Sequence, residues 1–211
     1  MSKGFWIIIA AIVVIFSGIL LFKGDKTDAP DSSLAASNHV VGENTKGVLL
    51  IEYGDYECSF CGQYYPIVKQ VIDKYQNDIA FQFRNLPLQQ NHKNAFVAAR
   101  AAEAAALQGK FWEMHDLLFQ NQSAWAQASN AQPVFEQYAA QLGLDIEKFK
   151  ADFASPAVND TINADIAEFR KTGAPMKTPT FFLNGNVIEP RSVEEFSQLI
   201  DDEIAKQQSQ E

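Results

Sequence analysis

The segment YGDYECSFCGQYYP, residues 53–66, contains both cysteines of this 211-residue chain, Cys58 and Cys61. They are separated by Ser59 and Phe60, which would place them one turn apart on a helix. Such a pair is a redox couple, part of a zinc site, or a chance placement. Chance is a poor explanation, because two cysteines distributed at random over a chain of this length would rarely fall at this spacing.

A structural zinc site is the second possibility, and it needs four ligands. The three histidines, His39, His92 and His115, lie far apart in the sequence and do not show the pairing of zinc ligands. Zinc would therefore require ligands from a second chain, and we predict no metal site. We interpret His92 and His115 as structural. Three aromatic residues are assigned to a helix-packing core: Phe111, Trp112 and Phe119.

The residues around the cysteines predict a strand, a helix and a second strand. Residues 47–53, GVLLIEY, form a short aliphatic run, which is typical of a buried strand. After Cys58 the apolar residues recur with helical spacing, and Pro66 predicts a kink in this helix. Residues 79–88, IAFQFRNLPL, alternate in polarity and predict the next strand. The order is that of a βαβ unit.

This placement puts Cys58 at the start of the helix. There the unpaired N–H groups and the helix dipole stabilise a thiolate. We therefore expect Cys58 to be the attacking thiolate, and the shielded Cys61 to resolve the mixed disulfide. No cofactor is needed, because the two sulfurs form the redox-active disulfide themselves.

The rest of the chain predicts a helical block and then a return to β structure. Helical patterns fill residues from about 92 to 172, with Gly, Pro and Asp at their ends. Residues 178–190, TPTFFLNGNVIEP, predict a hairpin with a turn at Asn184-Gly185. Residues 192–206 predict a closing amphipathic helix.

The N-terminus carries the apolar run FWIIIAAIVVIFSGILLF at residues 5–22. As a helix it would be about 27 Å long, close to the roughly 30 Å of a hydrocarbon core. The run is longer than that of a signal peptide, so we expect residues 1–22 to be an uncleaved anchor in the lipid bilayer, with a cleaved signal peptide as the alternative. Residues 23–39 predict a flexible linker, and residues 40–206 the folded domain.

Charge and cysteine content limit the partners and the compartment. The net charge is −9 and no Lys/Arg-rich run is present, which argues against a nucleic-acid partner. Stable protein disulfides form outside the cytosol, where further thiols would mispair. We therefore expect the domain to face the extracytoplasmic (periplasmic) side of the cell membrane.

Three segments resemble the DsbA-like thiol:disulfide oxidoreductases, in their bacterial, often membrane-anchored branch. IEYGDYECSFCGQYYP resembles the active-site segment, LPLQQNHKNAFVAARAAEAAALQGKFWEMHDLLFQNQ is similar to the start of the helical insertion, and KTPTFFLNG resembles the cis-proline segment. The likeness covers roughly residues 40–206. It implies an α/β, thioredoxin-like fold with an inserted all-helical subdomain, here preceded by one N-terminal transmembrane helix.

The resemblance also implies roles for single residues. Cys58 and Cys61 are the redox pair, and Pro179 is the cis-proline packed against their disulfide. The backbone of Thr178 would pair with a substrate strand in a short β-augmentation. Glu52 takes the position of a buried acid that assists proton transfer from the inner thiol. A solvated glutamate at the end of the strand is the other interpretation of Glu52.

Several residues near the cysteines are expected to tune the site or to contact substrate. Phe60 and Met176 are expected to bind substrate, and Met176 and Phe181 flank the predicted cis-proline. The family's strongest oxidants carry a histidine where this chain has Phe60, so the resemblance leaves the strength of oxidation open. Asp55 and Glu57 are expected to be exposed loop acids that raise the pKa of the nearby thiol.

The sequence therefore predicts a thiol:disulfide oxidoreductase acting on unfolded, cysteine-containing secreted or envelope proteins, in the oxidant direction. The resemblance implies reoxidation by a quinone-linked membrane partner. One alternative is a reductase or isomerase of the same fold, supplied with electrons by a membrane partner. The other is a membrane-tethered peptide-binding or chaperone module with a structural disulfide.

Overall fold

The computed structural model describes residues 35–209. The predicted membrane anchor at residues 1–22 lies outside the described residues, as does the predicted linker up to residue 34. Within residues 35–209, no helix combines the length and the apolar character needed to cross a bilayer.

The described chain contains a mixed five-stranded sheet in the order β1–β3–β2–β4–β5. The two central strands β2 and β3 are parallel, and every other pair is antiparallel. This arrangement confirms the predicted βαβ unit and the predicted hairpin. The strands are β1 (His39–Val41), β2 (Val48–Gly54), β3 (Ile79–Asn85), β4 (Thr180–Leu183) and β5 (Asn186–Ile188).

Helices cover both faces of the sheet and form the inserted block between β3 and β4. The insertion is entirely helical, as predicted, and the first helix runs without interruption through Pro66. The helices are α1 (Ser59–Tyr75), α2 (Ala95–Ala106), α3 (Phe111–Gln120), α4 (Gln122–Trp125), α5 (Gln132–Gln141), α6 (Ile146–Phe153), α7 (Pro156–Lys171) and α8 (Val193–Gln208).

The central strand β2 is buried on both faces. The alternation of its side chains between these faces decides on which side Glu52 lies. Val48 and Leu50 belong to the larger core, which also contains residues of α1, α3 and α8. Tyr53 belongs to a second, smaller core built on α7. Because strand side chains alternate between faces, Glu52 points to the same side as Leu50, toward α1 and its cysteines.

Helix α2 is the centre of the insertion. It packs against α3, α5, α6 and α7, and almost all of its alanines are buried. A helix that is apolar around most of its circumference needs neighbours on several sides, and small side chains allow them to approach closely. The loop of residues 86–94 leads into α2 and lies beside the segment that precedes Cys58, so the insertion is anchored next to the active site.

The predicted linker ends earlier than residue 40. Ser37 is buried, and it donates its N–H and hydroxyl to the carboxylate of Asp165, at 2.8 and 2.6 Å. His39 bonds to Glu103 at 2.9 Å. Residues 35–39 are therefore part of the folded domain. The polar composition of this segment suggested a linker because its partners lie far away in the sequence, on α2 and α7.

Candidate active site

Cys58 lies at the start of α1, as the sequence predicts. It is the N-cap residue, with extended backbone angles (φ −66°, ψ 121°), and its side chain makes no capping hydrogen bond. Its N–H donates to the Asp55 carbonyl at 3.1 Å, which fixes the approach to the helix. Cys58 is 6% exposed, whereas Cys61, one turn further on, is fully buried. The outer sulfur is therefore the one that a substrate can reach.

The two cysteines differ in acidity. The pKa of Cys58 is lowered from 9.0 to about 5, chiefly by a hydrogen bond from the Cys61 side chain, while burial opposes this shift. Thr178 and the N–H groups of the first helical turn also lower the pKa of Cys58. The pKa of Cys61 is raised well above 9.0 by burial, by its bond to Cys58 and by the charge of Glu52. At neutral pH Cys58 is a thiolate and Cys61 a thiol.

Glu52 is a buried acid and not a solvated strand-end residue. It is 3% exposed, and its neighbours across the sheet are Phe83 on β3 and Phe181 on β4. Burial, and then the charge of Cys58, raise the pKa of Glu52 from 4.5 to about 8. The carboxyl group therefore carries a proton at neutral pH, and it lies close enough to the inner thiol to influence the pKa of Cys61.

A cavity of about 550 Å³ between α1 and α3 reaches Glu52. Its walls include Val68, Lys69, Trp112 and His115. A smaller groove of about 250 Å³ lies at the cis-proline, and no residue of 35–209 lines both spaces. The buried acid and the cis-proline loop beside the outer cysteine therefore border different openings of the described domain.

The Thr178–Pro179 peptide bond is cis, as the resemblance implies. Its position brings the backbone of Thr178 against the outer cysteine, since the Cys58 thiol donates to the Thr178 carbonyl at 3.5 Å. Phe60, 62% exposed, and Phe181, buried at 3%, line the groove beside this loop. The groove thus has an apolar wall at the solvent edge and an apolar floor beneath it.

Met176 does not line that groove. It is 49% exposed and borders a neighbouring cavity of about 360 Å³, together with Leu88 of the loop before α2 and Arg170 of α7. The structure therefore places Phe60 and Met176 in two different cavities. The sequence could show only that both residues are close to the cysteines or to the cis-proline, and not which opening each one lines.

The Thr178 hydroxyl group is available to the Cys58 thiolate. It is buried and has no hydrogen-bond partner among the described residues. The thiol form of Cys58 donates to the Thr178 carbonyl, but a thiolate can only accept, and the side chain of Thr178 then lowers the pKa of Cys58. This hydroxyl group can therefore donate to the reactive sulfur once the sulfur is a thiolate.

We expect Thr178→Val, which keeps the shape of the side chain, to raise the pKa of Cys58 by about 0.5–1 pH unit. The measurement is the thiolate absorbance at 240 nm as a function of pH. The matched control is Thr180→Val, because the Thr180 hydroxyl donates to the Lys177 carbonyl at 2.7 Å and not to a cysteine. An equal shift in both variants would contradict the role of the Thr178 hydroxyl.

The acids before Cys58 are buried, and the prediction that they are exposed is wrong. Asp55 is 1% and Glu57 9% exposed. Asp55 accepts hydrogen bonds from the N–H groups of Glu57 and Leu88, both at 2.8 Å, and from the His92 ring at 2.7 Å. Glu57 accepts from the N–H of Asn94 at 2.5 Å. Apart from the Glu57 N–H, the partners of both acids come from the loop of residues 86–94.

Sequence reasoning also missed Gln122 of α4. Its amide donates to the carbonyls of Tyr56 at 2.7 Å and Cys58 at 2.9 Å. These bonds connect the insertion to the active-site turn, residues 54–58. No pattern in the sequence indicates this contact. His115, by contrast, is structural as predicted: it is buried beside Tyr56, and burial lowers its pKa to about 3.

The remaining sequence predictions concern an aromatic core and a metal site. Phe111 and Phe119 are buried and Trp112 is partly buried, so these aromatic residues form the predicted packing core. Among residues 35–209, no group of three or more His, Cys, Asp or Glu side chains is arranged to hold a metal ion.

The sequence matches one family model, Thioredoxin_4, described as Thioredoxin, over residues 35–202. Among curated proteins, it is 41% identical over 150 residues to the Na(+)/H(+) antiporter NhaA 1 of Salinispora arenicola. That alignment covers 70% of this chain but only 22% of the antiporter. The chain therefore spans about a fifth of the length of the curated relatives that it matches.

Solved structures of other bacterial proteins share this fold. A thioredoxin-like oxidoreductase from Silicibacter pomeroyi DSS-3 superposes with a TM-score of 0.65 at 25% identity, over 78% of this chain and 90% of that chain. The alpha-DsbA1 of Wolbachia pipientis gives a TM-score of 0.71 at 20% identity, over 81% and 92% of the two chains. Because each superposition covers more than three quarters of this chain, it includes the helical insertion as well as the thioredoxin-like core.

Proposed function

Since this chain belongs to the thioredoxin family and has the fold of DsbA-like thiol:disulfide oxidoreductases, we propose that it exchanges disulfides with protein thiols and acts as an oxidant. The proposed substrates are unfolded, cysteine-containing proteins that are secreted or belong to the cell envelope. Cys58 is the nucleophile, and Cys61 is the resolving cysteine.

One observation carries this proposal: the outer sulfur is an acidic thiol beside Thr178, which lines the groove with Phe60 and Phe181, and the inner sulfur is a buried, weakly acidic thiol. A thiolate that is stabilised in the reduced protein makes the disulfide easier to reduce, because the product of reduction gains the stabilisation. A protein with this asymmetry gives its disulfide to a substrate more readily than a protein with two ordinary thiols.

In the oxidant direction, a substrate thiolate attacks the Cys58 sulfur of the Cys58–Cys61 disulfide. The bond between the two enzyme sulfurs breaks, and Cys61 leaves as a thiolate that takes up a proton, for which Glu52 is the proposed donor. A second substrate thiolate then attacks the substrate sulfur of the mixed disulfide, and Cys58 leaves as a stabilised thiolate. The substrate loses two electrons, and the enzyme gains them.

The groove supports a substrate that is an extended chain. Thr178 is adjacent to the reactive sulfur, so its backbone is placed to pair with residues flanking a substrate cysteine. Exposed Phe60 and Val187 offer apolar contacts that do not require a defined side chain. Such contacts suit unfolded proteins of many sequences.

The proposal includes a location and a redox partner. We place the domain on the extracytoplasmic side of the cell membrane, attached through residues 5–22, because disulfides persist in that compartment. A quinone-linked membrane protein would then accept the two electrons from the reduced Cys58 and Cys61 and restore their disulfide. Co-purification of the full-length chain with membranes, and its release by protease on the outer side only, test this arrangement.

The decisive measurement is the reduction potential of the Cys58–Cys61 couple in the full-length protein, equilibrated with glutathione buffers. We expect a value toward the strong-oxidant end, about −120 mV. A value near about −270 mV would reverse the direction and indicate a reductase. A couple below about −300 mV with slow exchange would indicate a structural disulfide, and with it the peptide-binding module.

A further inference from the structure

The loop of residues 86–94 joins β3 to the insertion and covers the turn that holds the reactive cysteine. Its backbone is fixed on that turn at both ends: the Leu86 N–H donates to the Gly54 carbonyl at 2.8 Å, and the Asn94 N–H donates to Glu57 at 2.5 Å. Between these two contacts, His92 is held by Asp55. The loop therefore brings a titratable side chain to the active-site turn from a distant part of the sequence.

Asp55 connects this histidine with both cysteines. Its N–H donates to the Cys61 sulfur at 3.5 Å, and its carbonyl accepts from the N–H of Cys58 at 3.1 Å. Its carboxylate is 2.7 Å from Nδ1 of His92. A proton on Nδ1 is required for this contact, since a carboxylate can only accept. His92 is thus linked to both cysteines through a single residue, Asp55.

Two acids and a thiolate lie close together in the active-site turn, and their negative charges repel one another unless a cation is near. Asp55 and Glu57 are both buried, and each lies within three positions of the thiolate at Cys58. Like charges at such short range disfavour ionisation of a thiol. The residues between the cysteines, Ser59 and Phe60, carry no charge that could compensate. An element that packs on the turn can add a compensating charge to the hydrogen bonds that already stabilise the thiolate.

His92 can supply that charge. Burial lowers its pKa, but the hydrogen bond to Asp55 and the negative charges of Asp55, Cys58 and Glu57 raise it more, so the net shift is upward from 6.5. Its side chain is 24% exposed, and the cation nearest to it along the loop is Lys93. Because the pKa of Cys58 is about 5, below the ordinary imidazole value of 6.5 from which His92 is raised, the ring is still cationic at the pH where the thiolate first forms.

We propose that His92 is a positioning residue for the Cys58 thiolate. Its imidazolium group, clamped by the buried carboxylate of Asp55, offsets the two acids of the turn and keeps the reactive sulfur ionised. The inference rests on the proposed function for its biological meaning, but the charge of the thiolate is measured directly and does not depend on turnover.

The test uses the reduced full-length protein, in which the absorbance at 240 nm reports only two cysteines. We expect His92→Gln to move the midpoint of thiolate formation up by about 0.5–1 pH unit. The equilibrium with glutathione should shift by about three- to tenfold toward the disulfide form, since the reduced protein loses this stabilisation. His92→Lys restores a positive charge beside Asp55 and should return both values most of the way.

His39→Gln is the matched control, because His39 also bonds to a buried acid, Glu103, which makes no hydrogen bond to the residues around Cys58. It should lower the unfolding temperature without moving the thiolate midpoint. An unchanged midpoint in His92→Gln overturns the proposal, and so does an equal shift in His92→Lys, since charge would then not be the cause. If the wild-type protein fails to exchange disulfides while His92→Gln still moves the midpoint, the proposed function fails and the role of His92 stands.

Discussion

Replacing Cys58 with serine is expected to abolish disulfide exchange completely, whereas replacing Cys61 with serine should stop the reaction at the mixed disulfide. Cys58 is the outer sulfur and has a pKa of about 5, so it is the atom that bonds to a substrate. Cys61 is fully buried and ionises far less readily, so it acts only within the protein. Serine is chosen at position 61 because its hydroxyl group still donates to the Cys58 sulfur.

The measurement is the reaction of each full-length variant with a peptide–glutathione mixed disulfide, followed by gel electrophoresis without reductant. Cys61→Ser should accumulate a covalent adduct, which disappears on addition of dithiothreitol. Cys58→Ser should form none. The two variants are matched controls for each other, since each removes one sulfur of the same pair. An adduct through Cys61 in the Cys58→Ser protein would show that the assignment of the two sulfurs is inverted.

The features that could be predicted from sequence depend on residues close together in the chain. The helix start at Cys58 follows from an apolar strand and a periodic helix on either side of it. The turn at Asn184-Gly185 follows from the turn residues themselves. The cis bond before Pro179 rests on the resemblance, since sequence alone gives X–Pro only a minor cis fraction.

The environment of the acids could not be predicted, because it is built by distant segments. Asp55 and Glu57 receive N–H groups from residues 33 and 37 positions further along the chain. An acid in a polar loop looks exposed when those donors are not known. The same reason applies to Ser37, whose acceptor on Asp165 lies 128 positions away.

Glu52 is an intermediate case. Its place in an aliphatic strand admits burial or a solvated end, and the outcome depends on what covers the strand. In the structure β3 and β4 flank it, and α1 lies over it, so the carboxyl group is shielded on every side except the cavity between α1 and α3. The substrate groove and this cavity are separate. This separation is consistent with two routes: the substrate sulfur reaches Cys58 from the groove, and protons reach Glu52 from the cavity between α1 and α3.

The second large effect is expected from Glu52→Gln, which keeps the size of the side chain but cannot transfer a proton. When Cys61 leaves as a buried thiolate, a protonated Glu52 is placed to neutralise it. We expect reduction of the disulfide by a dithiol peptide at pH 7 to slow by about a hundredfold in the variant. In the wild-type protein the rate, corrected for ionisation of the peptide, should fall as the pH rises through about 8 and Glu52 loses its proton. The variant should show no such fall.

Stability provides an independent readout of the same group. The folded pKa of Glu52 is above its ordinary value of 4.5, so it contributes stability that is complete below pH 4.5 and is lost as the pH rises through about 8. Urea unfolding should show the wild-type protein losing about 3 kcal/mol more than Glu52→Gln between pH 4.5 and 7. Glu103→Gln, also at a buried acid, is the control and should leave the rate of disulfide reduction unchanged. If Glu52→Gln removes the pH dependence of stability but not that of the rate, Glu52 is buried as described and the proton of Cys61 comes from another source.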